Sequence, residues 1–262
     1  MEAKTINYDS LVRTIKLMRS GNHLLNDSIF YFLMRACELG ELDLCEACID
    51  AGVDINIVVS TQNQSLLMPL INSVSLNLKV AQWLISKGID INKYDVSLGH
   101  TPLSLACYKG NFELVKLFIQ NAAKLDNCNK NPIWWTVSTD IHNNMTAIYN
   151  IVEFLLNICN NTDCDNPDEN SNPFIKALVR RQSQIVELFL NHGVSPNQYS
   201  NHGRTPLYIS VQNRDIQTAR ILLEHHADAN APLTYNCMDM AIKNGDTKMQ
   251  ELLASYGAKT SK

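Results

Sequence analysis

Thr101–Ala106 reads Thr-Pro-Leu-Ser-Leu-Ala, and Gly110 and the apolar run Leu114–Phe118 follow it. The same order of residue types returns at Asn172–Ala177, which reads Asn-Pro-Phe-Ile-Lys-Ala, and at Thr205–Ser210, which reads Thr-Pro-Leu-Tyr-Ile-Ser. The last two stretches begin 33 positions apart. A fixed period of this length is typical of proteins built from stacked repeats.

Four further copies fall into the same register with weaker matches, so seven copies cover nearly all of the chain after residue 25. Their starts are Tyr31–Ala36, Met68–Leu70, Asn131–Thr136 and Asn236–Ala241. The pattern resembles the ankyrin repeat, whose period is about 33 residues with a Thr-Pro-Leu-His-x-Ala start. The resemblance implies an all-α fold, an ankyrin-repeat solenoid of stacked antiparallel helix pairs with short hairpin loops.

The residue types at fixed places in each copy have physical reasons. A Thr or Asn before Pro caps the first helix, and Pro fits the first turn, where its missing N–H is not needed. Gly110 permits a tight turn between the two helices of its copy. A second glycine ends the second helix in the left-handed conformation, and in the sixth copy His226 stands in its place. Glycines predicted to end second helices are Gly52, Gly88, Gly193 and Gly257.

A single copy cannot bury its apolar face alone, so the sequence predicts one continuous solenoid domain over residues 1–262. Residues 1–26 are predicted to form an N-terminal helical cap, because Asp9–Met18 has an amphipathic pattern and a solenoid end needs a polar outer face. A partner-binding tail is the alternative for this segment. Residues 27–258 carry the repeats, and 259–262 form a short tail.

Two stretches break the period, near 137–147 and 157–171. The first lies between the helices of the fourth copy, whose second helix is predicted at Ile151–Leu156. The second replaces the usual short hairpin with residues rich in Asn and Asp. Long insertions often carry function, so partner contact there stays open beside a purely solvated loop.

Composition excludes several classes of function. The net charge of −4 gives no basic face for nucleic acid, and no apolar run approaches the about 18 residues that suggest a membrane span. No basic start followed by an apolar run marks a signal peptide. We therefore expect a soluble, cytoplasmic monomer, whose eight cysteines are reduced thiols packed as small apolar residues.

Few residues have the spacing that a metal site or a catalytic site needs. Cys45 and Cys48 are spaced like metal ligands, with Cys37 nearby, but no second pair completes four ligands and the register places them on helices. No phosphate-binding glycine loop or nucleophile elbow is present. The sequence predicts no metal, no cofactor and no catalysis. The alternative is an enzyme whose site is built from the insertions, with Asp140, His142 and Cys159 as the set to test.

The resemblance also implies where a partner protein binds, since hairpin tips and the exposed ends of first helices line a concave face in ankyrin proteins. Mapped copy by copy, the candidates are His100, Tyr108, Lys109, Lys130, Trp134, Val179, Arg180, Arg204, Gln212, Asn213, Tyr235 and Lys243. Large amphipathic side chains such as Tyr, Trp and Arg are frequent anchors of interfaces. Of the neighbours Trp134 and Trp135, one is predicted to pack into the core and the other to serve as an exposed anchor.

Hairpin asparagines form a second candidate set. In the family this Asn hydrogen-bonds the connecting loop and can be hydroxylated by a host asparaginyl hydroxylase, which makes Asn56, Asn92, Asn197 and Asn230 candidate modification sites.

Together these features predict a non-catalytic interaction scaffold for another protein. Asn makes up about a tenth of the chain, and with divergent repeats this bias is similar to ankyrin-repeat effectors that intracellular bacteria deliver into the host cytosol. Large DNA viruses and some protists share the bias, so the origin stays open. A regulatory half of a larger complex is a third interpretation.

Overall fold

The structure is a computed structural model that describes residues 32–50, 53–56, 65–72, 78–95, 99–125, 131–139, 144–159, 168, 170–231 and 236–261. It forms two compact units, Met1–Asn129 and Lys130–Lys262. The predicted N-terminal cap over 1–26 lies outside the described residues. One solenoid domain over the whole chain stays a prediction.

The first unit contains three helix pairs within its described part. They are α1 (32–39) with α2 (Leu42–Asp50), α3 (Leu67–Asn72) with α4 (Leu78–Ser86), and α5 (Pro102–Tyr108) with α6 (Phe112–Gln120). First helices pack on first helices and second helices on second helices, as in the contacts of α3 with α5 and of α4 with α6.

The second unit contains four helix pairs among the residues described there. They are α7 (Pro132–Ser138) with α8 (Met145–Ile158), α9 (Pro173–Val179) with α10 (Ser183–Asn191), α11 (Pro206–Gln212) with α12 (Ile216–Glu224), and α13 (Cys237–Lys243) with α14 (Thr247–Ser255). Each first helix packs on the next first helix, and each second helix on the next second helix. The predicted all-α fold of stacked helix pairs is confirmed.

Capping side chains start the helices where the sequence predicts them. The Thr101 hydroxyl accepts from the Ser104 N–H, and the Ser104 hydroxyl accepts in return from the Thr101 N–H. Asn172 caps α9 by accepting from the Ile175 N–H, and Thr205 caps α11 by accepting from the Tyr208 N–H, each followed by Pro in the first turn. These side chains fix the first residue of each helix, because they satisfy backbone donors that the helix cannot.

Left-handed residues end the helices. Gly88, Gly193 and Gly257 have φ values of 84°, 86° and 78°, as predicted, and Gly52 lies outside the described residues. His226 takes the same conformation, with φ of 67°. The residue that stands in place of the usual glycine therefore adopts the conformation that glycine has in the other copies.

Apolar residues at helical spacing form the core between neighbouring pairs. Leu114, Val115 and Phe118 of α6 are fully buried, and Phe174 of α9 meets Phe189 of α10 edge to face with ring centroids 5.7 Å apart. Burying such side chains stabilises the fold by about 1.5–3 kcal/mol each. Stacking of the helix pairs therefore buries the apolar face that a single pair would leave exposed to solvent.

The fourth pair departs from the prediction. Helix α8 has 14 residues against 9 in α10, and it begins at Met145 rather than near Ile151. Asn144 caps it by accepting from the Ala147 N–H. The end of the stretch assigned to the insertion near 137–147, from Met145 to Ala147, is therefore helix, and the period alone could not show this.

Candidate protein-interaction surface

Candidate residues meet in pairs where a hairpin returns to the end of a first helix. In the first unit, His100 precedes the Thr101 cap, and its ring centroid lies 5.7 Å from that of Tyr108 at the end of α5. His100 is 8% exposed and lies 3.2 Å from the Ser104 hydroxyl through its Nδ1. Burial lowers the pKa of His100, an effect that Asp95 opposes and Lys109 reinforces, so the ring is neutral at neutral pH.

The same arrangement returns in the second unit. Arg204 precedes the Thr205 cap, and its Nη1 donates to Oε1 of Gln212 at 3.2 Å. Gln212 is exposed at the end of α11, and Arg204 is half-buried. We call His100–Tyr108 and Arg204–Gln212 the hairpin–helix pairs. Both join residues eight positions apart, so the repeat brings predicted candidates into contact.

Tyr235 and Lys243 have the same eight-position spacing in the last repeat. Lys243 is exposed at the end of α13, whereas Tyr235 lies outside the described residues.

The residue that follows a first helix faces solvent in one repeat and bonds the preceding repeat in others. Lys109 caps α5 with an exposed side chain, which is available to a partner. Arg180 and Asn213 instead donate to the preceding repeat, Arg180 Nη1 to the Thr139 carbonyl at 3.4 Å and Asn213 Nδ2 to the Leu178 carbonyl at 3.3 Å. Asn244, which the sequence did not single out, donates in the same way to the Val211 carbonyl. These bonds connect repeats, and the recurring Asn at this place was the signal for them.

Trp134 and Trp135 do not divide into one core and one surface residue. Both are half-buried, and their rings meet edge to face with centroids 5.0 Å apart. The Lys176 ammonium lies 5.0 Å from the Trp134 centroid, a cation–π distance that holds this side chain against α9. Lys130, the other candidate of this copy, lies outside the described residues.

The hairpin asparagines connect neighbouring repeats. Asn56 Nδ2 donates to the Gly88 carbonyl and its Oδ1 accepts from the Asp90 N–H, at 2.9 and 2.7 Å. Asn197 makes the same two bonds to the following hairpin, Asn230 makes them to Gly257 and Lys259 after the last helix, and Asn92 Oδ1 accepts from the Lys124 N–H. Each amide is therefore held in place by the backbone that follows the next second helix.

The described cysteines are packed or weakly reactive. Cys37, Cys45, Cys48, Cys107 and Cys237 are buried free thiols. Burial raises the pKa of the half-buried Cys159 to about 11, so it is protonated at neutral pH and a poor nucleophile. Asp140 and His142, its suggested partners, lie outside the described residues, as do Cys128 and Cys164. Within the described ranges no group of three His, Cys, Asp or Glu side chains is placed to hold a metal ion.

A family profile described as ankyrin repeats, in three copies, matches residues 71–147 and 144–233. The chain belongs to the ankyrin-repeat family. Ankyrin repeats are generally protein–protein interaction modules, and their fold is typically non-catalytic.

Two relatives illustrate the range of this ankyrin protein's similarity. It is 35% identical over 86 residues to a putative ankyrin repeat protein of Fowlpox virus, FPV014, a match covering 32% of this chain and 20% of that protein. It is 26% identical over 196 residues to the putative ankyrin repeat protein YahD of Escherichia coli, covering 72% of this chain and 92% of that one.

Solved structures agree in fold. The human ASB11 ankyrin repeat domain matches with a TM-score of 0.69 at 20% identity, covering 87% of this chain and 99% of that domain. The ankyrin repeat domain of Bcl-3 matches with a TM-score of 0.68 at 17% identity, covering 85% and 97%.

Across the part of the chain that the structure describes, no helix combines the length and apolar character needed to cross a membrane.

Proposed function

We propose that this chain is a non-catalytic scaffold that binds a partner protein through the ends of its first helices and the adjoining hairpins. The observation that carries the proposal is the pairing of hairpin and helix candidates, His100–Tyr108 in one unit and Arg204–Gln212 in the other. Each pair presents a large or charged side chain, Tyr108 on a helix end and Arg204 on a hairpin, next to a helix that the core has already fixed. Little conformational entropy is then lost when a partner binds.

The residues of this proposed surface are those whose side chains reach solvent at these places. Lys109, Gln212 and Lys243 are exposed, and Tyr108 and Arg204 are half-buried. Tyr and Arg combine apolar area with hydrogen-bonding groups, which suits them to anchor an interface. Asn213 and Arg180 contribute less, because each donates to a carbonyl of the preceding repeat.

The partner is proposed to be a host protein, met in the host cytosol by a secreted effector. The Asn-rich composition and divergent repeats support this part, as does similarity to a putative ankyrin repeat protein of Fowlpox virus. The candidate hydroxylation of Asn56, Asn92, Asn197 and Asn230 belongs to the same proposal. Mass spectrometry of these peptides from host cells, showing one added oxygen atom on Asn, tests it.

Capture from eukaryotic lysate followed by mass spectrometry tests the scaffold function. The wild type is compared with Tyr108→Ala/Arg204→Ala, and with the control Tyr256→Ala/Arg220→Ala, whose exposed side chains lie at second helices α14 and α12. We expect a protein captured by the wild type and the control but lost from the first variant, with Tm unchanged. Equal capture by all three, or loss in the control alone, would contradict the proposed surface.

A further inference from the structure

A pocket of about 510 Å³ lies in the second unit, where the turn between α9 and α10 faces the fourth helix pair. Its apolar wall consists of Met145 and Ile148 of α8 and Val179 of α9, and Val179 is 53% exposed. The half-buried Arg180 and the exposed Arg181 form its rim, and the buried Gln182 and Thr139 complete the lining at its base. Among the residues that the structure describes, no acidic residue lines it.

Gln182 departs from the pattern of the neighbouring helix starts. Asn111, Asn144, Asp215 and Asp246 each cap their second helix through a side-chain oxygen, whereas Gln182, in the same place before α10, makes no such bond. Its Nε2 donates instead to the Val137 carbonyl, which fixes the orientation of the amide. Its Oε1 has no hydrogen-bond partner among the described residues, although the side chain is buried. The base of the pocket therefore offers an acceptor rather than a helix cap.

Arg181 adds a second departure. It holds a left-handed conformation with φ of 58°, at the place where Gly110 and Gly245 lie in other repeats. Its guanidinium is exposed, forms no ion pair with any described residue, and uses one N–H for the Arg214 carbonyl at 3.1 Å. A guanidinium has five N–H donors in a planar fork, which matches the geometry of a carboxylate.

We propose that this pocket, lined by Met145, Ile148, Val179, Arg180, Arg181 and Gln182, binds an acidic, apolar peptide segment of a partner protein. The proposal rests on the proposed scaffold function, since Val179 and Arg180 end a first helix and so continue that surface. A carboxylate of the segment pairs with the Arg181 guanidinium, and a neighbouring aliphatic or aromatic side chain packs on Met145 and Val179. Charge complementarity selects this occupant, because the rim carries two cations and the described part of the lining carries no anion.

Fluorescence anisotropy with two labelled decapeptide pools tests the site on the full chain. One pool alternates Asp or Glu with Leu, Ile, Val or Phe, and the other replaces every acid by its amide. We expect the acidic pool to bind at least about tenfold more tightly, with the difference shrinking as salt is raised. Equal affinity for the two pools, or no binding of either, would overturn the proposal.

Matched variants distinguish binding in the pocket from nonspecific attraction between the acidic peptides and the positive charges of the protein. Arg181→Gln should lower the acidic-pool affinity to that of the amide pool, whereas Arg214→Gln should leave it unchanged. Arg214 is the matched control because it holds the same left-handed place one repeat later, with φ of 56°. Val179→Ser should lower the affinity for both peptide pools. This variant keeps the site testable if Arg181→Gln folds poorly. Equal losses in the Arg181 and Arg214 variants would overturn the proposal.

The two proposals fail differently. If the pools do not discriminate, yet lysate capture still depends on Tyr108 and Arg204, only the pocket assignment is lost. If no protein is captured in a way that depends on those residues, the scaffold surface itself is wrong, whatever the peptides do.

Discussion

Single side chains carry the connections between repeats. The hairpin asparagines show this most clearly, because one amide donates to a carbonyl and accepts from an N–H of the following hairpin. The sequence showed where these asparagines lie, since they recur at one place in the period. It did not show which atoms they reach, because those partners lie about one repeat further along the chain.

Asn197→Ala tests this connection. It removes the bonds to the His226 carbonyl and the Asp228 N–H, at 3.1 and 2.7 Å. We expect the free energy of unfolding to fall by about 1–2 kcal/mol, since each exposed bond contributes about 0.5–1.5 kcal/mol. Urea denaturation measures it, with the exposed Asn201→Ala as the control. A loss no larger than the control's would show that the bonds contribute nothing.

His226→Gly tests the cost of a left-handed residue. An L-residue with φ of 67° is strained by about 1–2 kcal/mol, and glycine offsets part of the relief through its greater freedom in the unfolded chain. We expect a gain of about 0.5–1 kcal/mol in the free energy of unfolding. The matched variant Gly193→His should lose stability instead. A loss in His226→Gly would mean that the imidazole makes stabilising contacts that outweigh the strain.

At the scale of the helix, the period predicts most elements but not their lengths. The cap-and-proline starts placed α5, α9 and α11 correctly. The longer α8 was missed because residues in excess of the period were read as loop. Ile148 was the available signal, since it is fully buried and continues the apolar spacing of Ile151, Val152 and Leu155 by one turn upstream.

Asn144→Ala tests whether α8 depends on its cap. Removing the bond to the Ala147 N–H should lower stability by about 1 kcal/mol, within the range of about 0.5–2 kcal/mol for such caps. Circular dichroism should show a small loss of helix content at the same time. Thr146→Ala, an exposed change in the same turn, should be neutral or slightly stabilising because Ala favours helix. An unchanged urea midpoint for Asn144→Ala would refute the cap.

At the scale of the whole molecule, buried thiols make stability depend on pH. Burial raises the pKa of Cys48 to about 11 and that of Cys237 to about 12, from 9.0. At pH values well below 9 these thiols are protonated in the folded and unfolded chains alike. Above it the unfolded chain loses protons first, so stability falls as the pH rises toward the folded pKa.

We therefore expect the urea midpoint, measured with reductant, to fall between about pH 8 and about pH 10.5. Cys48→Ala should make this fall in the urea midpoint smaller. The midpoint of each chain is compared with its own value at pH 8, so that the packing lost in Cys48→Ala does not enter the comparison. Lys and Tyr titration is common to both chains and cancels in the comparison. An identical fall in both would show that the Cys48 thiol is not protected from ionisation.

The candidate surface was predictable only in outline. The repeat register indicated first-helix ends and hairpins as candidate places, but the contacts of His100 with Tyr108 and of Arg204 with Gln212 are seen only in the structure. It could not separate Lys109, which reaches solvent, from Arg180 and Asn213, which bond the preceding repeat. That difference depends on which carbonyl lies within reach, and a single sequence does not contain it.

Hydrogen exchange of the chain with its captured partner tests the central claim most directly. The account predicts slower exchange in the complex at residues 100–109 and 204–213, with little change in α6 and α12. Slowing confined to the second helices, with the hairpin–helix pairs unaffected, would contradict it.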